Sequence, residues 1–175
     1  MNWAGRMVQQ EVSANDSVLD LGCGIMQATL DQTSQLQTKC LVGVDIYSQY
    51  LKFLRDKHIS VLRADVSKPL PFRDKCFDHV LLMDVVEHLE YKEAFQLMDE
   101  AEKIAIKKVI VLTPFNFMNN IEATDEVSPY CGMGKNPYQL HKCLITPRDL
   151  QRRGFRLYPK ISGRKYTYTF AVKEQ

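Results

Sequence analysis

Two glycines flanking a cysteine, Gly22-Cys23-Gly24, follow directly on the apolar run Val18-Leu19-Asp20-Leu21, and a second run, Val42 to Ile46, carries Asp45. Glycine reaches backbone dihedrals that a side chain forbids, so the chain can turn sharply there and come close to a ligand. An acid about twenty positions on, closing the next strand, is placed to accept hydrogen bonds from the two ribose hydroxyls of an adenosine cofactor. The dinucleotide fingerprint needs a third glycine, which would seat a helix N-terminus behind a pyrophosphate, and Gln27 stands in its place. A third run ends in Leu62-Arg63-Ala64-Asp65-Val66, where a carboxylate could accept from an adenine amino group.

The sharpest acid-base constellation comes after the fourth run, Phe77 to Met83, which closes on Asp84-Val85-Val86-Glu87-His88-Leu89. If a helical turn follows the strand, Asp84 and Glu87 share one face at i and i+3, and His88 joins at i+4. Together with the distant His141, these residues offer three kinds of chemistry. Asp84, His88 and His141 are candidates for general base or substrate positioning, an effect of about 10² to 10⁴ in rate. Glu87, His88 and His141 are candidate ligands for Mg²⁺, Mn²⁺ or Zn²⁺. The bland reading is a capping or packing role. His58 and His79 flank the third and fourth strands and read as structural, and Cys23 is assigned no nucleophilic role.

Strands near 17–21, 40–45, 60–64, 77–83, 108–113, 155–161 and 166–172 must position these groups. Segments of helical length lie between the first five, most clearly 91–105, where Ala94, Leu97, Met98, Ala101, Ile104 and Ala105 repeat at helical spacing. Strands alternating with helices predict a parallel sheet covered on both faces. The last two strands are separated only by Ser162-Gly163-Arg164, which predicts an antiparallel hairpin. From Pro114 to Thr146 no period is visible, and a stretch that long, starting at the C-terminal end of a strand, reads as a substrate-facing loop. Phe115, Phe117, Tyr130 and Tyr138 lie in or beside it, placed to stack on a planar acceptor or to pack locally. Tyr47 and Tyr50 follow Asp45 and are expected near the adenosine.

The 175 residues make one domain. Apolar and charged fractions of 45% and 25% are those of an ordinary globular protein, and a net charge of +2 does not announce nucleic acid. Arg148, Arg152, Arg153, Arg156, Lys160, Arg164 and Lys165 nevertheless bias the C-terminal fifth toward basic. Five cysteines with no Cys-X-X-Cys pair argue against a disulfide framework and a structural zinc site. With no apolar run of membrane-spanning length and no secretory signal, no membrane association and a cytoplasmic setting are expected.

This ordered set of motifs resembles the class I S-adenosylmethionine-dependent methyltransferases, in particular the small-molecule branch whose fourth strand is followed by a Glu-His-Leu-like segment. The resemblance implies an α/β Rossmann-like sheet of seven strands, order 3-2-1-4-5-7-6, with S-adenosyl-L-methionine as cofactor. It implies that Asp20, Gly22, Cys23 and Gly24 line the methionine half, Asp45 and Ile46 the ribose, and Asp65 and Val66 the adenine, with Met83 and Asp84 closing the pocket. Met26 stands where many members carry a further glycine, and it would either crowd the methionine end or turn outward. The acid and histidine pattern is also similar to the Glu-X-X-Glu-His plus distant His of small-RNA 2′-O-methyltransferases and to the metal patch of ubiquinone-pathway O-methyltransferases, with Asp84 in place of the first Glu.

The resulting expectation is direct in-line methyl transfer to a hydroxyl of a small molecule. Met83-Asp84-Val85-Val86 lacks the Asn/Asp-Pro-Pro-Tyr/Phe motif associated with methylating exocyclic amines. RNA 2′-O-methylation with a bound metal is the alternative acceptor class, and a nonenzymatic S-adenosylmethionine-binding scaffold the alternative role. A nicotinamide oxidoreductase is disfavoured by Gln27 and the terminal hairpin. Only about sixteen residues precede the first strand. That leaves an open pocket, one completed by a second subunit in a homodimer, or one for a bulky acceptor, with Trp3, Met7 and Val8 as an apolar patch at its rim.

Overall fold

The computed structural model describes residues 3–26, 38–57, 59–117, 136–159, 161–162 and 167–175. Eight strands form one sheet: β1 Ser17–Leu21, β2 Cys40–Asp45, β3 Ser60–Arg63, β4 Phe77–Met83, β5 Ala105–Pro114, β6 Arg156–Leu157, β7 Ile161–Ser162 and β8 Thr167–Glu174. Their order is β3-β2-β1-β4-β5-β8-β6, with β7 pairing β8 beside that path. β1 to β5 run parallel, and β8 lies antiparallel to β5, β6 and β7. With β6 and the two-residue β7 taken as one interrupted arm, this is the seven-strand order 3-2-1-4-5-7-6 with its C-terminal antiparallel hairpin.

Strand alternation sorts the core into two faces, because successive side chains point to opposite sides of a sheet. Leu19, Leu21, Val80, Leu82, Val109 and Val111 face the helix Tyr91–Ile104, here α3, whose Ala94, Leu97, Met98, Ala101 and Ile104 are all buried against them. Val18, Leu81, Met83, Ile110, Leu112, Phe170 and Val172 face the N-terminal helix α1, Trp3–Glu11, through Ala4 and Val8. Trp3 and Met7 pack on the same cluster, and the Trp3 ring lies 5.5 Å from that of Tyr168. The apolar residues expected at a pocket rim therefore cover a sheet face. A parallel sheet is stable only when both faces are covered in this way.

α3 begins where it does because Glu90 and Glu93 form a reciprocal capping box, and it hands over to β5 with no intervening loop. Helix α2, Ser48–Arg55, follows β2. One local expectation fails. Residues 64–76, between β3 and β4, hold turns and no helix, since Pro69 and Pro71 interrupt any helical hydrogen-bond ladder. A further helix, α4 Pro147–Arg152, follows the expected substrate-facing loop, of which residues 118–135 lie outside those described; it is started by a Thr146–Asp149 capping box and stopped at Gly154, whose φ is 84°. Residues 136–146 before it form a strap along the sheet edge, with one 3₁₀ turn at Pro137–Gln139. His58, Gln27, Tyr130, Lys160, Arg164 and Lys165 lie outside the described residues.

Candidate functional site

A cavity of about 320 Å³ opens at the C-terminal edge of β1 to β4, the edge at which open α/β sheets bind ligands. Gly22, Asp45, Ile46, Asp65, Val66 and Asp84 line it, all of them expected from the sequence. His88 lines it too, and Tyr138 closes the opposite wall.

The glycine turn is built by two constraints at once. Gly22 N–H and Cys23 N–H both donate to the Val44 carbonyl, at 2.8 and 2.9 Å, which folds the end of β1 over β2. Gly22 sits at φ 70°, and a Cβ there would come within 2.2 Å of the Val85 Cγ2. Gly24 N–H donates to Asp45 Oδ2 at 2.8 Å, and Tyr47 N–H donates to Oδ1 at 2.8 Å. Burial pushes the Asp45 carboxyl up, and those backbone donors act against it. Backbone N–H groups of Gly24, Tyr47 and Ile46 thus fix the Asp45 carboxylate at the cavity wall, where it can accept from a ligand hydroxyl. Asp65 is fixed likewise by Ser67 N–H, at 2.9 Å.

Asp20, Cys23, Gly24 and Met83 do not line the cavity, although the resemblance placed them at the cofactor. Asp20 is buried in β1, and Met83 packs on the α1 face. Cys23 joins Met26, Leu51 and Leu54 in a small core behind α2, where burial and the nearby Asp20 and Asp45 charges raise its thiol pKa and keep it protonated. Met26 is 1% exposed and does not reach the cavity. It fits because β2 carries Gly43 opposite, where a Cβ would lie 2.6 Å from the Met26 Cε. Tyr47 and Tyr50 stack edge-on with each other at 4.9 Å and also stay out of the lining.

Beyond β4 the chain turns at Asp84, a non-glycine residue at φ 52°, into the 3₁₀ turn Val86–His88. The Asp84 side chain is open to the cavity, whereas Glu87 is 2% exposed. Burial pushes Asp84 up to about 7, and burial together with the Asp84 charge pushes Glu87 well above its usual range. The two share their charge, and Glu87 is the acid that keeps its proton. Its Oε2 accepts from Thr113 Oγ1 on β5 at 3.2 Å, and the carboxyl that keeps its proton donates to Asp84.

His88 is oriented by the strap. Its Nδ1 lies 3.3 Å from the Leu140 carbonyl, which can only accept, so Nδ1 carries the hydrogen and Nε2 keeps a lone pair. Burial, reinforced by His141 and Lys142, lowers the imidazole to about 4 against the backbone bonds to Leu140 and Gln139. The His88 and His141 rings meet edge to face at 4.8 Å, and Lys142 N–H and Cys143 N–H both donate to the Glu87 carbonyl. Ligand atoms of Glu87, His88 and His141 all lie within 4.8 Å of one another. The strap also supplies Asn136, Gln139 and Lys142 to the cavity wall, and the β3 loop supplies Lys68. Sequence reading missed these; the Asn136-Pro137 turn signal was the clue.

A methyltransferase domain family matches residues 19–112, more than half of the chain. The protein belongs to that family. This methyltransferase domain is similar in structure to an S-adenosylmethionine-dependent methyltransferase of Methanosarcina mazei, at TM-score 0.70 and 13% identity over 97% of this chain and 96% of that one. It is similar also to the magnesium protoporphyrin IX methyltransferase of Synechocystis with bound S-adenosylhomocysteine, at TM-score 0.67 and 15% identity over 99% and 80%. The cyclase SpnF shares the fold at TM-score 0.71 and 13% identity over 99% and 81%, so the fold carries more than one chemistry. No curated protein matches the sequence. Among the described residues of the methyltransferase domain, no helix is long and apolar enough to cross a membrane.

Two of the described basic residues of the C-terminal fifth are held in ion pairs. Arg153 is bound to Asp99 and Glu102, and Arg156 pairs with Glu11 near the opposite edge of the sheet. His79 also lies at that far edge, buried, with Nε2 2.8 Å from Asp16 Oδ2. A wider depression lined by Asp74, Lys75, Asp99, Glu102, Lys103 and Gln175 sits away from the glycine turn, and much of its charge is internally paired.

Proposed function

We propose that the protein binds S-adenosylmethionine and transfers its methyl group in line to a hydroxyl of a small molecule. The residues fit that cofactor: Asp45 presents two backbone-fixed oxygens to vicinal hydroxyls, Asp65 presents a third acceptor, and Met26 is tucked out of the way. When bound, the cofactor supplies an activated methyl on a sulfonium. Held by Asp45 and Asp65, it would supply that methyl for transfer to the acceptor oxygen, the electron pair of the broken sulfur–carbon bond staying on sulfur.

The chain aligns the two partners and excludes water; alignment alone contributes roughly 7 to 11 kcal/mol. His88 carries the proposal. It is neutral at ordinary pH, its Nδ1 hydrogen points to Leu140, and its Nε2 lone pair is available to take the hydroxyl proton. Asp84 flanks it as a second acceptor within the cavity, and His141 buttresses its ring.

One observation favours a second reading. Glu87, His88 and His141 could hold a divalent cation, with His88 oriented by its Leu140 bond as metal-bound histidines are. A metal would suit a 2′-hydroxyl of RNA as acceptor. The Lys142 charge beside His88 opposes a second cation there and so favours the metal-free, small-molecule reading.

Calorimetric titration with S-adenosylmethionine, S-adenosylhomocysteine, NAD and Mn²⁺, followed by labelled-methyl transfer to hydroxylated small molecules and to RNA, tests the whole scheme. Binding of the methionine cofactors with transfer to a small molecule supports the proposal. Binding without transfer supports a scaffold, and Mn²⁺ binding that is lost in His141→Ala supports the metal.

A further inference from the structure

The walls of the cavity divide by hydrogen-bond type. The sheet side presents acceptors, Asp45, Asp65 and Asp84. The facing side, made of the strap and the β3 loop, presents donors. Asn136 is 7% exposed and its Oδ1 accepts from Tyr138 N–H at 3.0 Å, which fixes the amide and leaves its two N–H groups, with one oxygen lone pair, to offer. Lys142 and Lys68 are exposed at the mouth, and neither forms an ion pair among the described residues. Among the described residues the one acid on that side, Glu93, already accepts from Glu90 N–H as the partner in the α3 capping box.

Tyr138, 47% exposed, adds a flat apolar surface between these donors. Acceptors on one wall suit the hydroxyls and amino groups of an adenosine cofactor, and they repel an anion. The donors opposite suit a carboxylate, of the acceptor or of the cofactor itself, and the two sources are told apart by the experiment below. A cation and an amide beside an aromatic face form a receptor for a ring bearing an acidic group.

We propose that the acceptor is a planar molecule carrying a carboxylate, with the ring against Tyr138 and the carboxylate held by Lys142 and Asn136. This rests on the methyltransferase reading above and goes beyond it, because it fixes the charge and shape of the acceptor. The Lys142 ammonium is near enough to His88 for its charge to be felt there. A carboxylate on Lys142 therefore brings the rest of a small ring toward His88, and a hydroxyl on that ring toward Nε2.

The test is calorimetry on the protein first saturated with S-adenosylhomocysteine, then titrated at pH 7.5 with 3- and 4-hydroxybenzoate and with the matching neutral hydroxybenzamides. The expected result is that at least one acid binds ten-fold or more tighter than its amide, and that Lys142→Gln removes most of this preference while leaving the S-adenosylhomocysteine affinity unchanged. Equal affinity of acid and amide, no binding of either, or a preference kept in Lys142→Gln overturns the proposal. So does a Lys142→Gln variant that loses S-adenosylhomocysteine, which would assign the lysine to the cofactor's own carboxylate. Failure of S-adenosylhomocysteine to bind the unaltered protein strikes the cofactor reading itself and is seen before any benzoate is added.

Discussion

Val85 occupies the space that a side chain on Gly22 would need: a Cβ would lie 2.7 Å from the Val85 Cβ and closer still to its Cγ2. The first strand's glycine turn and the segment after the fourth strand are thereby fitted to each other, and the cavity floor is their joint surface.

Gly22→Ala should lower stability by about 2 to 4 kcal/mol, combining a left-handed backbone penalty of roughly 1 to 2 kcal/mol with overpacking against Val85. In a thermal unfolding series, adding Val85→Ala should recover the packing part and leave the backbone part. No recovery would show that φ alone decides the position.

Removing the Asp45 carboxylate takes a charged acceptor from the cofactor hydroxyls and releases the Gly24 and Tyr47 N–H groups. Asp45→Ala should weaken S-adenosylmethionine binding by about 1 to 3 kcal/mol, read directly by calorimetry. Unchanged affinity would remove Asp45 from the site.

His88→Ala should slow methyl transfer by about 10² to 10⁴ with cofactor affinity nearly intact. Because His88 is lowered to about 4, its basic form is present above that pH and is lost only as pH falls through it. In Asp84→Asn, which removes the carboxyl that titrates at about 7 in the same cavity, transfer limited by this base should therefore hold across pH 6 to 8. An acid limb centred near 6.5 would mean that His88 is solvated or is not the base.

At the far edge, Asp78 accepts from the N–H and hydroxyl of Ser17, at 2.9 and 2.7 Å, and meets Lys107 at 3.0 Å. Burial raises its carboxyl, but these partners outweigh it and hold it at about 2. A depressed folded pKa contributes stability above the unfolded value and loses it as pH falls through the folded one. Asp78→Asn should cost about 1 to 2 kcal/mol at pH 7, with the difference from the unaltered protein shrinking below pH 4 and vanishing near pH 2 in denaturant titrations.

The parallel half of the sheet was readable because β1, β2 and β4 are short apolar runs bounded by turn residues, and each run maps onto one strand. α3 was readable from its period. α4 was not, because six residues are too few to show a period, and its evidence lay in the Thr146-Pro147-X-Asp149 cap and in Gly154. At the site, Asp45, Asp65, Asp84 and His88 stand at strand ends where a spacing argument reaches them. The fit of Met26 against Gly43 joins two strands and has no local signature. The strap donors escaped for the same reason: their relation to the acids across the cavity exists only after the chain has folded back over the sheet.

The ionic girdle at the far edge, where Asp16 and Asp78 share Lys107 and Glu11 joins Lys108 to Arg156, anchors the base of the sheet and the end of α1. The donors proposed to choose the substrate, by contrast, lie at the other end, on a strap hydrogen-bonded to the turn after β4. Heritable change in the strap can alter which molecule is accepted while drawing little on the reserve that keeps the chain folded. Such a division lets one scaffold diversify its chemistry piecemeal, a residue at a time, without first having to become more robust.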